Sequence, residues 1–508
     1  MDSTSSPNNP TPLVTTTTLA DHAGITLLAD TARSVVTQHA GGAEVAALLV
    51  RLLGEDARKR SGIDGDAATV TLTITVDGTE LALQLRDTGE PVGGPPTDVL
   101  ALVDLGMASS ADGGTDGKGN VVVARVPLPS HGRLLDDTDL EIVADDAPLI
   151  DAPVTIRALE PGDAAALTRC VYRCYGWTYP YAEMYFPDQL AAAIANGTRA
   201  GNVAVDADGE VVCHMGTVVL ADGVVMAGGG ITDPRYRRRG LLAELGGRFY
   251  QWIGTSGTKV YLSEPVLTHA ITQKMSLAGP SSLAGLYLNV RGPLQQVDFT
   301  DGMLDRRSSL LVTHCAAVPL EPATLWVPAL YEPLVRHLLD GADWPRDIGS
   351  TRGTPQCPDT STSSLSYDSL NQVGAIKVTT VGHDLADVVD DALSQLRTAG
   401  AEMVRVYLPA NQPALASLGA GLGSLRLGFA ALLPAFGELG DALVLQWVRN
   451  PDIDDSPWVY GDPSIETLAH LIMAQARELG DAATAMRRRQ ARRQQLFAAL
   501  PTDDGPAG

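Results

Sequence analysis

The residues best suited to chemistry are three consecutive arginines at 237–239, which stand directly before Gly240. An apolar pattern at helical spacing begins at Leu241, and the strand predicted before this loop ends at Ile231. The first backbone N–H groups of a helix have no partner within the helix, so they bind anions readily. Glycine lets the backbone approach a bulky ligand, and guanidinium groups suit phosphate oxygens. The segment therefore predicts a pyrophosphate site, with a basic helix start that binds nothing as the alternative.

This segment resembles the pyrophosphate-binding motif of the GNAT superfamily of N-acyltransferases, Arg/Gln-x-x-Gly-x-Gly/Ala, which follows the fourth strand of that fold. The match is Arg237-x-x-Gly240-x-Leu242, where Leu242 replaces the usual small residue. The resemblance implies transfer of an acyl group to an amine from coenzyme A or from the phosphopantetheine of an acyl carrier protein. It also implies the following donor-binding residues: Ile231, Thr232, Arg237, Arg238, Arg239, Gly240 and Leu242.

The resemblance implies a proton donor that this chain lacks. In GNAT enzymes the amine attacks the thioester directly and a tyrosine usually protonates the leaving thiolate, but Met275 stands at the corresponding position. Positioning and carbonyl polarisation must then supply most of the acceleration. Glu264 and His269, near the end of a predicted strand, and His214, in a predicted meander, are the candidates for proton transfer. A half-buried histidine or a surface carboxylate is the ordinary alternative for each.

Aromatic side chains are concentrated between residues 172 and 186, in a protein with only 5% aromatic residues. The resemblance places this region on the acceptor side, where such rings would form a wall for a long acyl chain or a peptide. A local aromatic core is the alternative. We predict the following substrate contacts: Tyr172, Tyr175, Trp177, Tyr179 and Tyr181.

Composition limits the partners and the compartment. The net charge of -23 argues against nucleic acid or an anionic membrane as a partner, because both bind concentrated positive charge. No uncharged apolar stretch reaches the ~18 residues of a membrane span, and the N-terminus lacks a signal-peptide pattern, which is typical of a soluble cytoplasmic protein. The five cysteines lack metal-ligand spacing, so we expect no metal site. Cys170 and Cys174 would share a helix face, as two buried thiols rather than as metal ligands.

The 508 residues exceed what one hydrophobic core can use, so several domains are expected. We predict an α/β (α+β) chain, in which a degenerate GHKL-like sandwich precedes two GNAT-like domains, the second degenerate, and a C-terminal helix. The predicted segments are a disordered tail over 1–18, the sandwich over 19–130, an acidic linker over 131–152, the GNAT domain over 153–300, its degenerate copy over 305–450, and a helix with a tail over 451–508.

The N-terminal region resembles the GHKL-type ATP-binding domain of anti-sigma-factor kinases. Asp87 and Gly89 match its Asp-x-Gly-x-Pro box, where they would hold adenine. Leu49 and Leu53 replace the Glu and the magnesium-binding Asn of that family, and the phosphate-wrapping glycine motif is missing. The sequence therefore argues against ATP turnover and favours a scaffold or a protein-binding role.

Two functions follow from these patterns. The first is an N-acyltransferase that acts on the amine of a small molecule or peptide, as in lipopeptide or natural-product assembly. The second is a partner-switching regulator, related to anti-sigma factors, that senses acyl-CoA without turnover. Neither pattern fixes the oligomeric state, and an oligomer is compatible with both.

Overall fold

The computed structural model describes residues 12–38, 43–61, 68–77, 80–127, 143, 147–176, 178–294, 296, 304, 306–350, 356–368 and 371–498, and most of their side chains as far as 482. Mixed α/β structure with two extended sheets makes up these residues, as expected. None of the helices described combines the length and the apolar character that crossing a bilayer requires.

The N-terminal part is a five-stranded antiparallel sheet with helices packed against it. Apolar residues alternate along its strands because one face is buried, and Leu72 and Ile74 share a core with Leu49 and Leu53. The strand order is β1-β2-β3-β5-β4. Its elements are β1 (Pro12–Leu19), α1 (His22–Gln38), α2 (Ala43–Arg60), β2 (Thr69–Asp77), β3 (Glu80–Asp87), α3 (Thr97–Asp104), β4 (Ser110–Asp116) and β5 (Gly119–Pro127).

Strand β1 lies within the segment that was predicted to be a disordered tail. It pairs with β2 from Leu19↔Thr69 to Pro12↔Thr75. Its threonines are β-branched and suit a strand, and the Thr17 and Thr71 hydroxyl groups lie 2.9 Å apart across the pair. The expectation of disorder is therefore wrong from residue 12 onward, and residues 1–11 lie outside the described part. Most of the predicted linker, 131–152, lies outside it as well.

The second sheet has twelve strands, and its first half follows the order β6-β7-β8-β9-β10-β12-β11. All neighbours in this half are antiparallel except β9 and β10, which are parallel and joined by helix α6. The elements are β6 (Thr155–Ala158), α4 (Ala164–Tyr175), α5 (Pro187–Ala195), β7 (Arg199–Val205), β8 (Val211–Ala221), β9 (Val224–Thr232), α6 (Leu241–Ile253), β10 (Val260–Ser263), α7 (Ile271–Leu277), β11 (Ser282–Arg291) and β12 (Ser308–Ala316).

Strand β12 extends the first half beyond the boundary predicted at 300. It lies between β10 and β11 and pairs with both, so it completes this half rather than starting the next one. A short segment then links the halves through β13 (Ala323–Leu325), α8 (Glu332–Gly341) and β14 (Arg346–Ile348), where β13 and β14 form a parallel pair.

The second half follows the order β15-β16-β17-β19-β18, again with one parallel pair, β16 and β17, joined by a helix. Its elements are β15 (Thr362–Asp368), β16 (Val373–Thr380), α9 (Leu385–Thr398), β17 (Met403–Pro409), α10 (Ala414–Leu418), β18 (Gly428–Leu433) and β19 (Ala442–Val448). The helix α11 (Pro463–Ala498) ends the described chain and packs on β18 and β11.

The two halves meet at β11 and β18, which are antiparallel and share the pair Gly285↔Ala431. A Cβ atom at Gly285 would lie 2.0 Å from the Ala430 oxygen, so only glycine permits this approach. Around the seam the strand order runs outward in the same way on both sides: β11-β12-β10-β9-β8 on one, β18-β19-β17-β16-β15 on the other.

Candidate active site

A fork opens between β9 and β10. The strands pair from Val224↔Val260 to Ala227↔Ser263, after which β10 ends and β9 continues to Thr232 alongside β8 alone. A bulge interrupts the β8–β9 register at this point, and Gly229 within it has φ of 63°, which favours glycine. The strands thus separate beside the loop that leads into α6.

His214, a predicted proton-transfer residue, stabilises this bulge. Its side chain is buried, and its Nδ1 lies 2.7 Å from the Gly229 carbonyl oxygen, to which it donates. Burial lowers the pKa of His214 to about 4, so the ring is neutral at pH 7. Gly201 and Gly216 leave room for the ring, because a Cβ atom at either would lie within 3.1 Å of Nε2. These contacts give His214 a positioning role.

The loop into α6 presents a row of backbone amides. Arg238 and Gly240 both have positive φ, 63° and 74°, and Gly240 caps the helix without a side-chain hydrogen bond. Within the described residues, no backbone N–H group from Arg238 to Ala243 donates a hydrogen bond, and the first intrahelical bond runs from Glu244 to Gly240. Consecutive free amides at a helix start form an anion site.

A buried ionic network, which sequence reasoning missed, holds this loop in place. Asp233 is fully buried; it accepts hydrogen bonds from the Arg235 backbone and guanidinium and from Arg173 Nη1 at 3.3 Å. Arg173 also donates to Glu210 at 2.6 Å. The sequence did contain one signal for this network, the Asp-Pro pair at 233–234. The Asp233 carboxylate caps the short 3-10 helix Pro234–Tyr236.

The three predicted arginines have different roles. The Arg239 guanidinium donates to the carbonyl oxygens of Ile150 and Ala152, at 3.1 and 2.7 Å, so only its backbone amide faces an anion. Arg237 Nε donates to the Thr232 carbonyl oxygen at 3.2 Å, beside the fork. Arg238 is exposed. The prediction of three guanidinium groups on phosphate is thus corrected for Arg239, whose side chain anchors the segment before β6.

Leu242, which departs from the small residue of the motif, packs over the fork. A Cβ atom at Gly230 would lie 3.3 Å from Leu242 Cδ1, so a glycine on β9 makes room for the larger side chain. Ile231 is buried in the core beneath the loop. The Thr232 carbonyl oxygen accepts from Cys174 Sγ as well as from Arg237. These predicted positions are therefore brought together at one place.

Glu264 lies immediately after β10, in the wall of a cavity of about 390 Å³. Its side chain is 8% exposed, and it pairs with Arg291 at 3.1 Å and with Arg405 at 3.7 Å. The cavity lies between the two halves of the sheet and includes Tyr287 of β11 and Tyr407 of β17 in its wall. Glu264 is therefore an ion-paired residue of a cavity, not a surface carboxylate.

The aromatic residues divide between the core and the cavity. The Tyr175 and Tyr179 rings are in contact, with centroids 4.7 Å apart and planes tilted by 57°, and Tyr179 packs in the core of the first half. Tyr181 lines the cavity and accepts a hydrogen bond from Arg291 at 2.6 Å. Tyr172 is half-buried on α4, and Trp177 lies outside the described residues. The local-core alternative therefore describes Tyr179, while Tyr181 is placed to contact a ligand.

His269, two residues before α7, lies close enough to Arg237 for the two charges to interact. Burial lowers the pKa of His269, and the nearby Arg237 guanidinium lowers it further, so the ring is neutral at pH 7. Its carbonyl oxygen accepts from Gln273 Nε2 at 3.0 Å, which fixes the start of α7. A neutral imidazole beside the anion loop is able to take up a proton.

A chain of hydroxyl groups, which the sequence did not indicate, lies at the end of β10. Ser263 Oγ is 3.0 Å from Ser276 Oγ and 2.6 Å from Thr313 Oγ1. Ser276 follows Met275, the residue at the position of the usual tyrosine. Hydroxyl groups at this place can donate a hydrogen bond to a developing thiolate.

The cysteines behave as buried thiols. Cys170, Cys174 and Cys213 are fully buried, and Cys174 and Cys213 form hydrogen bonds with Thr232. A hydrogen bond with Cys174 and burial together raise the pKa of the Cys170 thiol. Among the described residues, no cluster of His, Cys, Asp and Glu has an arrangement that could hold a metal ion.

The residues that resemble an adenine site are occupied by the protein itself. Asp87 is buried and accepts hydrogen bonds from Arg60 Nη1, the Gly89 amide and Asn120 Nδ2, each at 2.8 or 2.9 Å. A Cβ atom at Gly89 would lie 2.9 Å from the Arg60 carbonyl carbon. This carboxylate therefore closes the end of α2 against β3.

No family model matches the chain, and no curated protein matches it. Solved structures similar to it are N-acetyltransferases, each covering about a third of this chain. They include an N-acetyltransferase from Staphylococcus aureus Mu50, 12% identical with a TM-score of 0.28, covering 33% of this chain and 100% of its own. The ribosomal-protein-S18-alanine N-acetyltransferase from Escherichia coli is 17% identical with a TM-score of 0.26, covering 33% and 97%. The spermidine/spermine N-acetyltransferase SpeG from Vibrio cholerae, in mutant form, is 12% identical with a TM-score of 0.26, covering 32% and 94%.

Proposed function

We propose that this chain is an N-acyltransferase that takes its acyl group from a pantetheine thioester and transfers it to an amine. The observation that carries the proposal is the row of unpaired amides from Arg238 to Ala243, which opens onto the fork between β9 and β10. Phosphate groups fit such a row, and the arginines at 237 and 238 add positive charge. The pantetheine arm then passes along the freed edge of β9 toward the cavity.

The reaction is a direct displacement. The nitrogen lone pair of the amine attacks the thioester carbonyl carbon, the C–S bond breaks, the nitrogen loses one proton and the sulfur gains one. The products are an amide and a free thiol. Strand amides at the fork polarise the carbonyl group, and the neighbouring protein excludes water from it.

The three predicted proton-transfer residues take different roles in this proposal. His269, neutral and beside the donor site, accepts the proton of the amine, directly or through water. Glu264, which follows β10 in the cavity wall, supplies the carboxylate that orients the ammonium form of the acceptor between the neighbouring guanidinium groups. His214 keeps the bulge open through Gly229. The hydroxyl groups of Ser263 and Ser276 take the place of the missing tyrosine beside the thiolate.

The other regions support this site in our proposal. The similar strand order on the two sides of the seam supports a tandem of GNAT-like halves, in which the second has lost its donor site and forms one wall of the acceptor cavity. The N-terminal sheet is a degenerate GHKL-like scaffold without ATP turnover, because Leu49 and Leu53 fill its core and Asp87 is bonded internally.

The test is a transfer assay with a matched pair of variants. The full chain is incubated with acetyl-CoA, a long-chain acyl-CoA or an acyl carrier protein and with a panel of amino acids, polyamines and peptides. Amide is detected by mass spectrometry and released thiol by a colorimetric reagent. Gly240→Asn and Gly240→Asp both suit the left-handed backbone, but only Asp places a negative charge at the anion site.

We expect Gly240→Asn to keep transfer within about 10-fold and Gly240→Asp to lose about 100-fold, the order of one charged hydrogen bond. Equal rates for the two variants would remove the anion site from the mechanism. Donor binding without amide across the panel would favour the alternative, a regulator that senses the acyl thioester. The carrier-protein arm decides between a free and a protein-bound donor.

A further inference from the structure

One charged side chain of the cavity has an unusual lack of partners. The Arg405 guanidinium makes no hydrogen bond to any residue that the structure describes, and its Nε is buried without an acceptor. Its one ion pair, with Glu264 Oε1, spans 3.7 Å. An arginine carries five N–H donors, and leaving the buried Nε–H group unpaired is costly. A ligand that accepts these hydrogen bonds would remove that cost.

The surroundings hold the guanidinium ready for such a ligand. It lies over the Tyr287 ring at 5.1 Å and near the Tyr407 ring at 5.8 Å, which fixes its plane. Arg291, the other guanidinium in the wall, is different because it donates to the Tyr181 hydroxyl group and to Glu264. Of these two guanidinium groups, Arg405 is thus the one that donates no hydrogen bond to any described residue.

The charges of the cavity are nearly balanced. The wall contains Arg291, Arg405 and Lys377 as cations and Glu264 and Asp368 as anions, and Lys377 is already paired with Glu438. A ligand of large net charge would leave uncompensated charge inside the protein. A zwitterion would not, because its carboxylate and its ammonium group each find a partner of opposite sign.

The cavity also fixes where the two charges of a zwitterion must lie. Glu264 follows the last residue of β10, so it lies beside the fork through which the donor would enter. Arg405 stands on β17, on the side of the second half. An ammonium group at Glu264 therefore faces the thioester, while the carboxylate lies against Arg405.

We propose that the acceptor is an α-amino acid with an apolar side chain, whose carboxylate is bound by Arg405. The inference rests on the proposed transfer reaction. Although Ser364 and Ser366 also lie in the wall, a group of aliphatic and aromatic residues supports the apolar side chain: Met226, Leu262, Tyr287, Val290, Leu433 and Phe436. A cavity of about 390 Å³ holds a molecule of this size. The second half of the sheet thereby supplies specificity while the first half supplies the donor site.

The experiment measures acceptor binding and transfer separately. Binding of leucine and phenylalanine, of their primary amides and of an aminoalkyl phosphate is measured by calorimetry without donor, and amide formation is then measured with acyl-CoA. The variants are Arg405→Met, Arg405→Lys and, as a matched control, Arg397→Met. Arg397 also lies over an aromatic ring, that of Trp447 at 5.2 Å, but is exposed outside the cavity.

We expect the free amino acids to bind about 10- to 100-fold more tightly than their amides, and Arg405→Met to abolish that preference. Arg405→Lys should restore part of it, and Arg397→Met should leave it unchanged. In the transfer assay Arg405→Met should raise KM for the amino acid with a smaller change in kcat.

Equal binding of acid and amide, or tighter binding of the phosphate, would overturn the inference. Binding that depends on Arg405 without amide formation would support the amino-acid site and count against the transfer reaction alone. Amide formation from amines that lack a carboxylate, at equal or higher efficiency, would support the transfer reaction and refute the amino-acid acceptor.

Discussion

The two halves of the large sheet contain the same strand–helix–strand unit, but their helices begin differently. At α6 the capping residue is Gly240, its neighbours are arginines, and the amides from Arg238 to Ala243 are free. At α9 the capping residue is Asp384, whose carboxylate accepts from the Ser361 amide, and Asp387 follows in the first turn. The start of α9 is thus occupied by a carboxylate of the protein, whereas the start of α6 is open to an external anion.

The two halves also differ in the space between the strand ends, just beyond each parallel pair. Beyond the paired part of β16 and β17, the Gln412 side chain accepts from the Val381 amide and donates to the Thr379 carbonyl oxygen, both at 2.8 Å. The Gly382 amide donates to Ser361 Oγ. No such bridge joins the ends of β9 and β10 in the described residues.

This difference shows that the pairing of strands places a helix start but does not make it a binding site. Whether a ligand fits depends on a few residues of the loop: glycine and arginine in one half, aspartate and glutamine in the other. The second half contributes to a cavity at the seam instead, where Arg405 and Tyr407 form part of the wall.

The largest effect that would test this comparison concerns the seam itself. Gln446 is buried on β19; its amide accepts from the Leu288 N–H and donates to the carbonyl oxygens of Leu286 and Phe429, which joins both halves. Gln446→Leu leaves three buried backbone groups unpaired, so we expect it to lower the free energy of unfolding by about 3–5 kcal/mol. Urea unfolding measures this.

The matched control for the seam is Gln395→Leu, on the exposed face of α9, which should change stability by less than about 0.5 kcal/mol. If Gln446→Leu and Gln395→Leu were equally mild, the halves would be independent units and the shared cavity would lose its structural basis.

The second prediction concerns pH, because His214 on β8 and His314 on β12 both belong to the first half. Burial lowers the pKa of each to about 4. Between pH 6.5 and 4 the unfolded chain therefore binds these protons and the folded chain does not, so stability falls as the pH is lowered through that window. Each histidine contributes up to about 3 kcal/mol to this loss.

His214→Asn keeps a side-chain donor for Gly229 but does not titrate. We expect it to remove the share of His214 from the loss of stability between pH 7 and pH 4.5, up to about 3 kcal/mol, and to leave the parts due to His314 and His269. Unfolding free energies at the two pH values give the result. An unchanged slope would mean that His214 is accessible to protons in the folded state and that the bulge is open.

The sequence predicted the position and the backbone geometry of the start of α6, because the signals for them are local. Glycine before an apolar helix pattern specifies a free helix start, and the positive φ of Gly240 agrees with that expectation. The strand and helix order of the second half followed from periodicity in the same way. The side-chain partner of Arg239 could not be predicted, since Ile150 and Ala152 lie in a segment with no pattern.

The cavity that we propose for the acceptor could not be predicted from the sequence. Glu264, Arg291 and Arg405 lie on three strands, and they meet only because β11 and β18 pair across the seam. Strand β1 was missed for a related reason: polar threonines resemble a disordered tail until a partner strand such as β2 is identified. Contacts between distant segments leave no periodic signal in either case.

The third prediction removes one free amide from the donor site. Ala243 and Asp387 are both exposed and both the third residue of their helices, where proline is better tolerated than in the helix interior. Ala243→Pro deletes an N–H group from the proposed phosphate site, so we expect CoA to bind about 10- to 100-fold more weakly. Asp387→Pro should leave CoA affinity unchanged, and calorimetry with CoA compares the two.

Equal losses for both prolines would mean that the variants act through the stability of the whole sheet. Equal affinities would mean that the amides of α6 do not contact the donor, and the comparison between the two helix starts would then have no functional content.

The smallest effect is expected at Gln412, which bridges the ends of β16 and β17 in the second half. Gln412→Ala removes the bridge between Val381 and Thr379, and because both groups are only partly buried, water replaces it in part. We expect a loss of about 1–2 kcal/mol in stability and no gain of CoA binding, since Asp384 still occupies the start of α9. CoA binding at a second site in Gln412→Ala would show instead that one side chain alone separates the two halves.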